Sequence, residues 1–277
     1  MSLTVVTDSS ACLPAALAKE HGIMVVPLHA VDGDDGAPAT TARPSVAELT
    51  DAYLRAAERG NEVLALHVTA SLSGTVDNAL LAARELAAQG ATITVLDSGA
   101  SGGVLGLAAL AAAEADDARR GAARARESVA RSHLFFLVQD LAHLRRGGRI
   151  DRATAFAGGA LGIRPILTTG PEGIGVVEMV RGAARARRHL IAQAVRATGG
   201  TSLTGPRPPA APVRLAVHYC DDPADGRALE NDLADAMVEA GALVESIMRS
   251  PADPASRVHL GPGALGIVVA PHLESPR

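Results

Sequence analysis

Short apolar, β-branched runs alternate along this chain with alanine-rich segments of helical period. Leu3–Val6, Ile23–Val26, Val63–Val68 and Ala91–Leu96 have the length and composition of strands buried on both faces, as in a parallel sheet. Leu13–Gly22, Ser45–Arg59 and Asp77–Gln89 lie between them and read as helices. Ser45-Val-Ala-Glu48 has the spacing of a capping box, and Gly90 sits where a helix C-cap wants glycine. Gly99–Ala113 and Asp116–Arg131 continue as helices, the first rich enough in small residues to pack closely on a sheet. Asp32–Thr40 is turn chemistry and is expected to be a surface loop.

A second alternation begins at Phe135–Val138. Leu141–Arg145 predicts a short helix before the basic turn Arg146–Ile150. Ile163–Leu167 and Gly173–Val180 predict a hairpin turning at Gly170–Gly173, and Arg185–Arg196 a helix. Thr198–Pro212 is Gly/Thr/Pro-rich and reads as a loop. Val213–His218, Asp225–Ala240, Leu243–Met248 and Gly266–Val269 give strand, helix, strand and strand, with His259–Gly263 as a tight turn. The fold class expected is therefore α/β in two lobes, residues 1–125 and 126–277, the first with a mainly parallel sheet. A crevice between such lobes is a common ligand position.

Val63–Ser98 is the stretch around which candidate chemistry gathers, because it reads β-loop-α-β. The loop leaving a parallel strand and opening a helix faces the ligand crevice. Here it carries the hydroxyls of Thr69, Ser71, Ser73 and Thr75 around Gly74, at a helix N-terminus suited to an anion. Ser9 and Ser10 stand at the equivalent end of the first strand. The ordinary alternative is a Ser/Thr N-cap, with Asp8 capping the first helix.

Composition narrows the classes. An apolar share of 48% with 20% charge is that of a globular chain, and a net charge of −4 argues against nucleic acid as the partner. Tryptophan is absent and aromatic residues are 2%, so base or sugar stacking is poorly supplied. Lys19 is the single lysine, a bias toward arginine that reflects composition more than phosphate-binding design. Cys12 and Cys220 form no metal or disulfide spacing and are expected to be buried small apolar residues. No signal peptide is visible at Met1–Asp8, and the apolar stretch Ser98–Ala113 falls short of a membrane span, so a soluble cytoplasmic protein is expected.

Taken in order, Thr7-Asp-Ser-Ser10, Thr41-x-x-Pro-Ser45, Ser71-x-Ser-Gly-Thr75, Asp97-Ser98, Gly147-Gly-Arg-Ile150, Arg181-Gly182 and His259-x-Gly-Pro-Gly263 resemble the DegV family, over nearly the whole chain. That family includes the fatty acid-binding subunits of bacterial fatty acid kinase. The resemblance implies a non-catalytic two-lobed protein that buries a fatty acid between its lobes. It implies presentation of the carboxylate to a separate kinase, which makes an acyl phosphate.

By the same resemblance, Thr41 helps hold the carboxylate, His259 matches the histidine of the glycine-rich turn, and Arg181 lies near the head-group opening. Thr69-Ala70 stands where the family has a serine pair, Arg43 brings a cation near the site, and Val76 replaces an aromatic residue. The segment from Leu28 to Thr41 is shorter than the family norm.

The expected partners are a fatty acid of the palmitate or oleate class and a fatty acid kinase catalytic subunit. Transient membrane contact is compatible with both. No cofactor, metal or nucleic acid is expected. Burying a long acyl chain stabilises by about 0.8 kcal/mol per methylene, which an aliphatic lining can supply without aromatic residues. Two alternatives are a serine hydrolase using Ser73 or Ser71 with His259 and Asp97 or Asp8, and a binder of a different small lipid or acid. The hydrolase lacks a Gly-x-Ser-x-Gly elbow, and a nucleotide enzyme lacks a phosphate-binding glycine loop with lysine.

Overall fold

The computed structural model describes residues 3–33, 39–57, 62–150, 162–199 and 211–274. It divides into a first unit, reaching to Ala130 and including Asp253–Ala255 and the chain from Leu273, and a second unit of Arg131–Ala252 and Ser256–His272.

In the first unit β1 (Leu3–Asp8) leads through a 3-10 turn (Ser9–Ala11) to α1 (Ala15–Glu20) and β2 (Met24–Val26). A small ribbon of β3 (His29–Val31) and β4 (Thr40–Ala42) precedes α2 (Val46–Ala57). Then come β5 (Glu62–His67), α3 (Thr75–Ala87), β6 (Ile93–Asp97), α4 (Gly102–Ala113) and α5 (Ala118–Ala130). The strands β2-β1-β5-β6 form one sheet, parallel throughout, as the near-continuous apolar runs predict. Val6, Val63 and Ala65 project to one face against Leu49, Tyr53, Ala79 and Leu86 of α2 and α3. The apolar α4 is buried along nearly its whole length and packs on β1 and β5. Its Gly106 passes so close to the Ala11 carbonyl that an added Cβ would overlap it.

Local rules hold where they were most specific. The Ser45 N–H and hydroxyl donate to Glu48 at 2.8 and 2.7 Å, and the Glu48 N–H donates back to Ser45 Oγ at 3.2 Å, a complete capping box. Gly90 takes φ +87 just past α3, the left-handed conformation a C-terminal glycine supplies. The loop expected over Asp32–Thr40 is shorter, since its flanks pair as the β3–β4 ribbon; residues 34–38 lie outside the described ones.

The second unit carries β7 (His133–Leu137), α6 (Ala142–Arg146), β8 (Ile163–Gly170), β9 (Gly173–Arg181) and α7 (Ala183–Ala197). It continues with β10 (Val213–Tyr219), α8 (Pro223–Glu239), β11 (Val244–Pro251), α9 (Pro254–Leu260), which begins on first-unit residues, and β12 (Leu265–Pro271). Its sheet runs β11-β10-β12-β7-β8-β9, parallel only between β10 and β11. The β8–β9 hairpin turns at Pro171-Glu172, between the paired Gly170 and Gly173. Leu215, Val217, Ile267 and Val269 meet Leu190, Ala194, Leu229 and Leu233 of α7 and α8 to form its core. His259 was expected in a tight turn; it belongs instead to the last turn of α9, capped at its start by Asp253, whose Oδ1 accepts from the Ala255 N–H at 3.0 Å. Most of the Thr198–Pro212 loop lies outside the described residues.

Candidate functional site

The C-terminal ends of β1 and β5 are clamped by one carboxylate. Asp8, fully buried, accepts from the Ser10 N–H at 3.1 Å and the Ser10 hydroxyl at 2.5 Å through Oδ1. Through Oδ2 it accepts from the Val68 N–H at 2.8 Å and from His67 Nδ1 at 3.1 Å. An acceptor-only carboxylate requires Nδ1–H as donor, which leaves His67 Nε2 to accept the Tyr53 hydroxyl proton at 2.8 Å. Burial, with the nearby Asp8 charge, pushes the Tyr53 phenol well above its ordinary range, so it remains a donor. The cap expected of Asp8 is thus one part of a larger buried network.

That network holds two hydroxyl-bearing loops at adjacent strand ends. Ser9 Oγ accepts from the Leu28 N–H at 2.8 Å, fixing the entry to β3. After β5, the Thr69 and Ser71 hydroxyls lie 3.1 Å apart and those of Ser73 and Thr75 lie 2.8 Å apart. None of them caps α3: its N-cap is Gly74, with no side-chain cap hydrogen bond. The ordinary reading of this loop as a Ser/Thr N-cap is therefore set aside. Asp97 closes the loop from the next strand, accepting from Ala70 N–H at 3.3 Å and Gly99 N–H at 3.0 Å.

Thr41 lies on β4, in register with Ala30. The segment after it is tied to α3 by the Asn78 amide, which donates to the Pro44 carbonyl at 2.8 Å. The Arg43 guanidinium rests on Gly74, where any Cβ would overlap it.

The second unit brings together two glycine motifs distant in sequence. The His259 ring packs on Gly147, the His143 ring lies 2.6 Å from where a Gly261 Cβ would stand, and the Gln139 amide lies 2.5 Å from that of Gly263. Arg149 turns back to its own motif, donating to the Gly147 carbonyl, and burial lowers its pKa. Burial first, and the Arg149 charge second, push His259 down to about 4, so its imidazole is neutral at physiological pH. Arg145 and Arg146 stay on the solvated face expected of a basic turn; Arg149 is half-buried. Arg181 ends β9 exposed, paired with Ile163 across the hairpin.

Of the residues singled out from sequence, Ser9, Ser10, Thr69, Ser71, Ser73, Gly74 and Thr75 gather at the ends of β1 and β5; Thr41 stands on β4, just before Arg43 and Pro44, which meet Gly74 and Asn78. His259 and Arg181 belong to the second unit. Tyr53 and His67 were missed, although a histidine closing the apolar run Val63–Val68 is itself a signal. The hydrolase arrangement gains no support in the first unit, because Ser71 and Ser73 pair with threonine hydroxyls and both His67 nitrogens are engaged. Cys12 and Cys220 are buried, as expected, and neither is in a disulfide. Among the described residues no His, Cys, Asp and Glu group is arranged to hold a metal ion, and no helix is long and apolar enough to cross a membrane.

Residues 33–272 match the family model described as "Uncharacterised protein, DegV family". A DegV domain-containing protein of Mycobacterium tuberculosis is 37% identical over 289 residues, 97% of each chain. Another, of Streptomyces coelicolor, is 35% identical over 300 residues, 97% of this chain and 98% of that one. The crystal structure of the DegV family protein Cg2579 of Corynebacterium glutamicum is similar with a TM-score of 0.83 at 29% identity, covering 99% of both chains. A DegV family protein of Thermus thermophilus, described by its fatty acid binding, gives 0.82 at 27%, covering 98% of this chain and 100% of its own. DegV of Bacillus subtilis, described as a fatty acid binding protein, gives 0.76 at 26%, with 98% and 100% covered.

Proposed function

We propose, from the premise that this chain belongs to the DegV family, that it is a non-catalytic binding protein for a long-chain fatty acid. The observation that carries the reading is the loop after β5, whose Thr69, Ser71, Ser73 and Thr75 hydroxyls cap no helix and follow the strand paired with β1, at whose end Ser9 and Ser10 stand. Hydroxyls so placed at parallel strand ends suit a carboxylate, which accepts several short hydrogen bonds at once. The similar proteins described as binding fatty acids, matched along their whole length, support the same ligand class.

In this reading Thr41 and Ser73 hold the head group, while His259 and Arg181 serve a later step, transfer of a phosphoryl group from ATP to the carboxylate by a separate kinase. A neutral His259 donates one hydrogen bond without adding charge, and an exposed Arg181 pairs with an incoming phosphate.

Native-condition mass spectrometry of the purified chain, followed by lipid extraction, tests the binding step. A bound long-chain fatty acid is expected, and Thr41→Val is expected to weaken rebinding about 10- to 100-fold, the worth of a hydrogen bond to a charged group. Absence of any fatty acid, with no uptake of added palmitate or oleate, overturns the reading. For transfer, His259→Ala and Arg181→Ala are expected to retain lipid yet lose acyl phosphate formation with a kinase subunit and ATP. Loss of lipid in both would make them ligand anchors instead.

A further inference from the structure

We infer that Arg43 is the charge-selecting residue of the head-group site, making this chain take an ionised carboxylate in preference to a neutral lipid of the same length. The inference rests on the fatty acid reading above and adds to it the group that sets head-group specificity. Its basis is where the guanidinium lies and what surrounds it. Arg43 packs directly on Gly74, the residue between Ser73 and Thr75 in sequence, and only the missing side chain of that glycine admits it there. The segment that carries it is held by the Asn78–Pro44 hydrogen bond at 2.8 Å, and the next residue opens the capping box with Glu48. The backbone that delivers the cation is thus fixed at two points.

No hydrogen bond or ion pair joins Arg43 to another residue among the described ones. Of the acids on the neighbouring elements, Asp8, Asp97 and Glu48 are engaged elsewhere, and Asp77, in the first turn of α3, is exposed and makes no ion pair with Arg43. Asp8 is surrounded by donors from Ser10, His67 and Val68, Asp97 accepts from Ala70 and Gly99, and Glu48 serves Ser45 and His29. Among the described residues, the loop therefore presents several hydroxyls beside a positive charge that no ion pair engages. A guanidinium offers a planar fork of donors that matches a carboxylate and not an alcohol or an ester. Hydroxyls alone donate to either kind of head group, so the discrimination falls to Arg43.

The test uses the full chain stripped of lipid, with palmitate and hexadecanol as probes, titrated calorimetrically at pH 8 and at two salt concentrations. Wild type is expected to bind palmitate more tightly than hexadecanol. Arg43→Gln is expected to lose roughly 10- to 100-fold in palmitate affinity, with hexadecanol unchanged. Arg43→Lys is expected to keep a reduced preference for the acid. Gly74→Ala, which displaces the guanidinium without deleting it, is expected to shift in the same direction as Arg43→Gln. Added salt is expected to weaken palmitate binding more in wild type than in Arg43→Gln. If Arg43→Gln retains full palmitate affinity, or loses both ligands equally, the assignment is overturned. A wild-type chain that takes up neither probe overturns the fatty acid reading, and this assignment with it; uptake by wild type separates the two failures.

Discussion

Asp8 shows how much of the site depends on a single buried side chain. Its carboxylate satisfies two backbone N–H groups, a serine hydroxyl and an imidazole, all within 3.1 Å. Tyr53 completes the chain, and removing its hydroxyl leaves His67 Nε2 buried without its donor. Tyr53→Phe is therefore expected to destabilise the protein by about 1–3 kcal/mol, the cost of an unsatisfied buried polar atom. Urea denaturation measures it; a change within a few tenths of a kcal/mol would mean the pair contributes nothing net. The hydroxyls of the β5–α3 loop were readable from sequence because they are contiguous, and so was Asp8, which ends a strand before a serine pair. The Tyr53–His67 pair was not, since its members are 14 residues apart on different elements and only the packing of α2 on the sheet joins them. The contact of Arg43 with Gly74 was hidden for the same reason, although the cation itself was visible.

At the scale of elements, long periodic segments were legible and short ones were not. The β5-loop-α3-β6 unit stands where its apolar run, glycine and alanine-rich segment put it. The strands β3 and β4 have three residues each, too few to show alternation, and α9 has seven, fewer than two full helical periods of side chains. The capping box of α2 was readable because its chemistry lies within four consecutive residues. Ser45→Ala is expected to cost about 1 kcal/mol at neutral pH by thermal or chemical melting, the usual worth of an N-cap.

The pH dependence of that cost follows from Glu48. The Ser45 hydroxyl, then the Ser45 N–H, hold its carboxyl below the ordinary value near 4.5. A carboxyl lowered on folding contributes stability that is present above its unfolded pKa and is lost as pH falls through the folded one. The difference between wild type and Ser45→Ala should therefore narrow below about pH 4.5. A constant difference across that range would show that the carboxylate plays no part in the cap.

On the scale of the whole molecule, the first unit is not contiguous in sequence: Asp253–Ala255 and the chain from Leu273 belong to it. Leu273 is buried, and the Glu274 carbonyl accepts from Arg124 Nη1 at 2.8 Å, against α5. Sequence order carries no signal of this return, because a few residues beside a proline look like any loop. Truncation after His272 is expected to remove roughly 3–5 kcal/mol, combining one buried leucine with one charged hydrogen bond. Hydrogen exchange should then report lost protection in α4 and α5 while α7 and α8 keep theirs; equal loss, or none, would contradict the expectation. The same return has a consequence in time. On the ribosome, Leu273 and Glu274 follow every residue of the second unit, so the half that is made first is completed last. At cellular elongation rates that delay is on the order of ten seconds. Throughout it, the apolar surface that Leu273 later covers stands open, and the half bearing the hydroxyl loops remains unfinished.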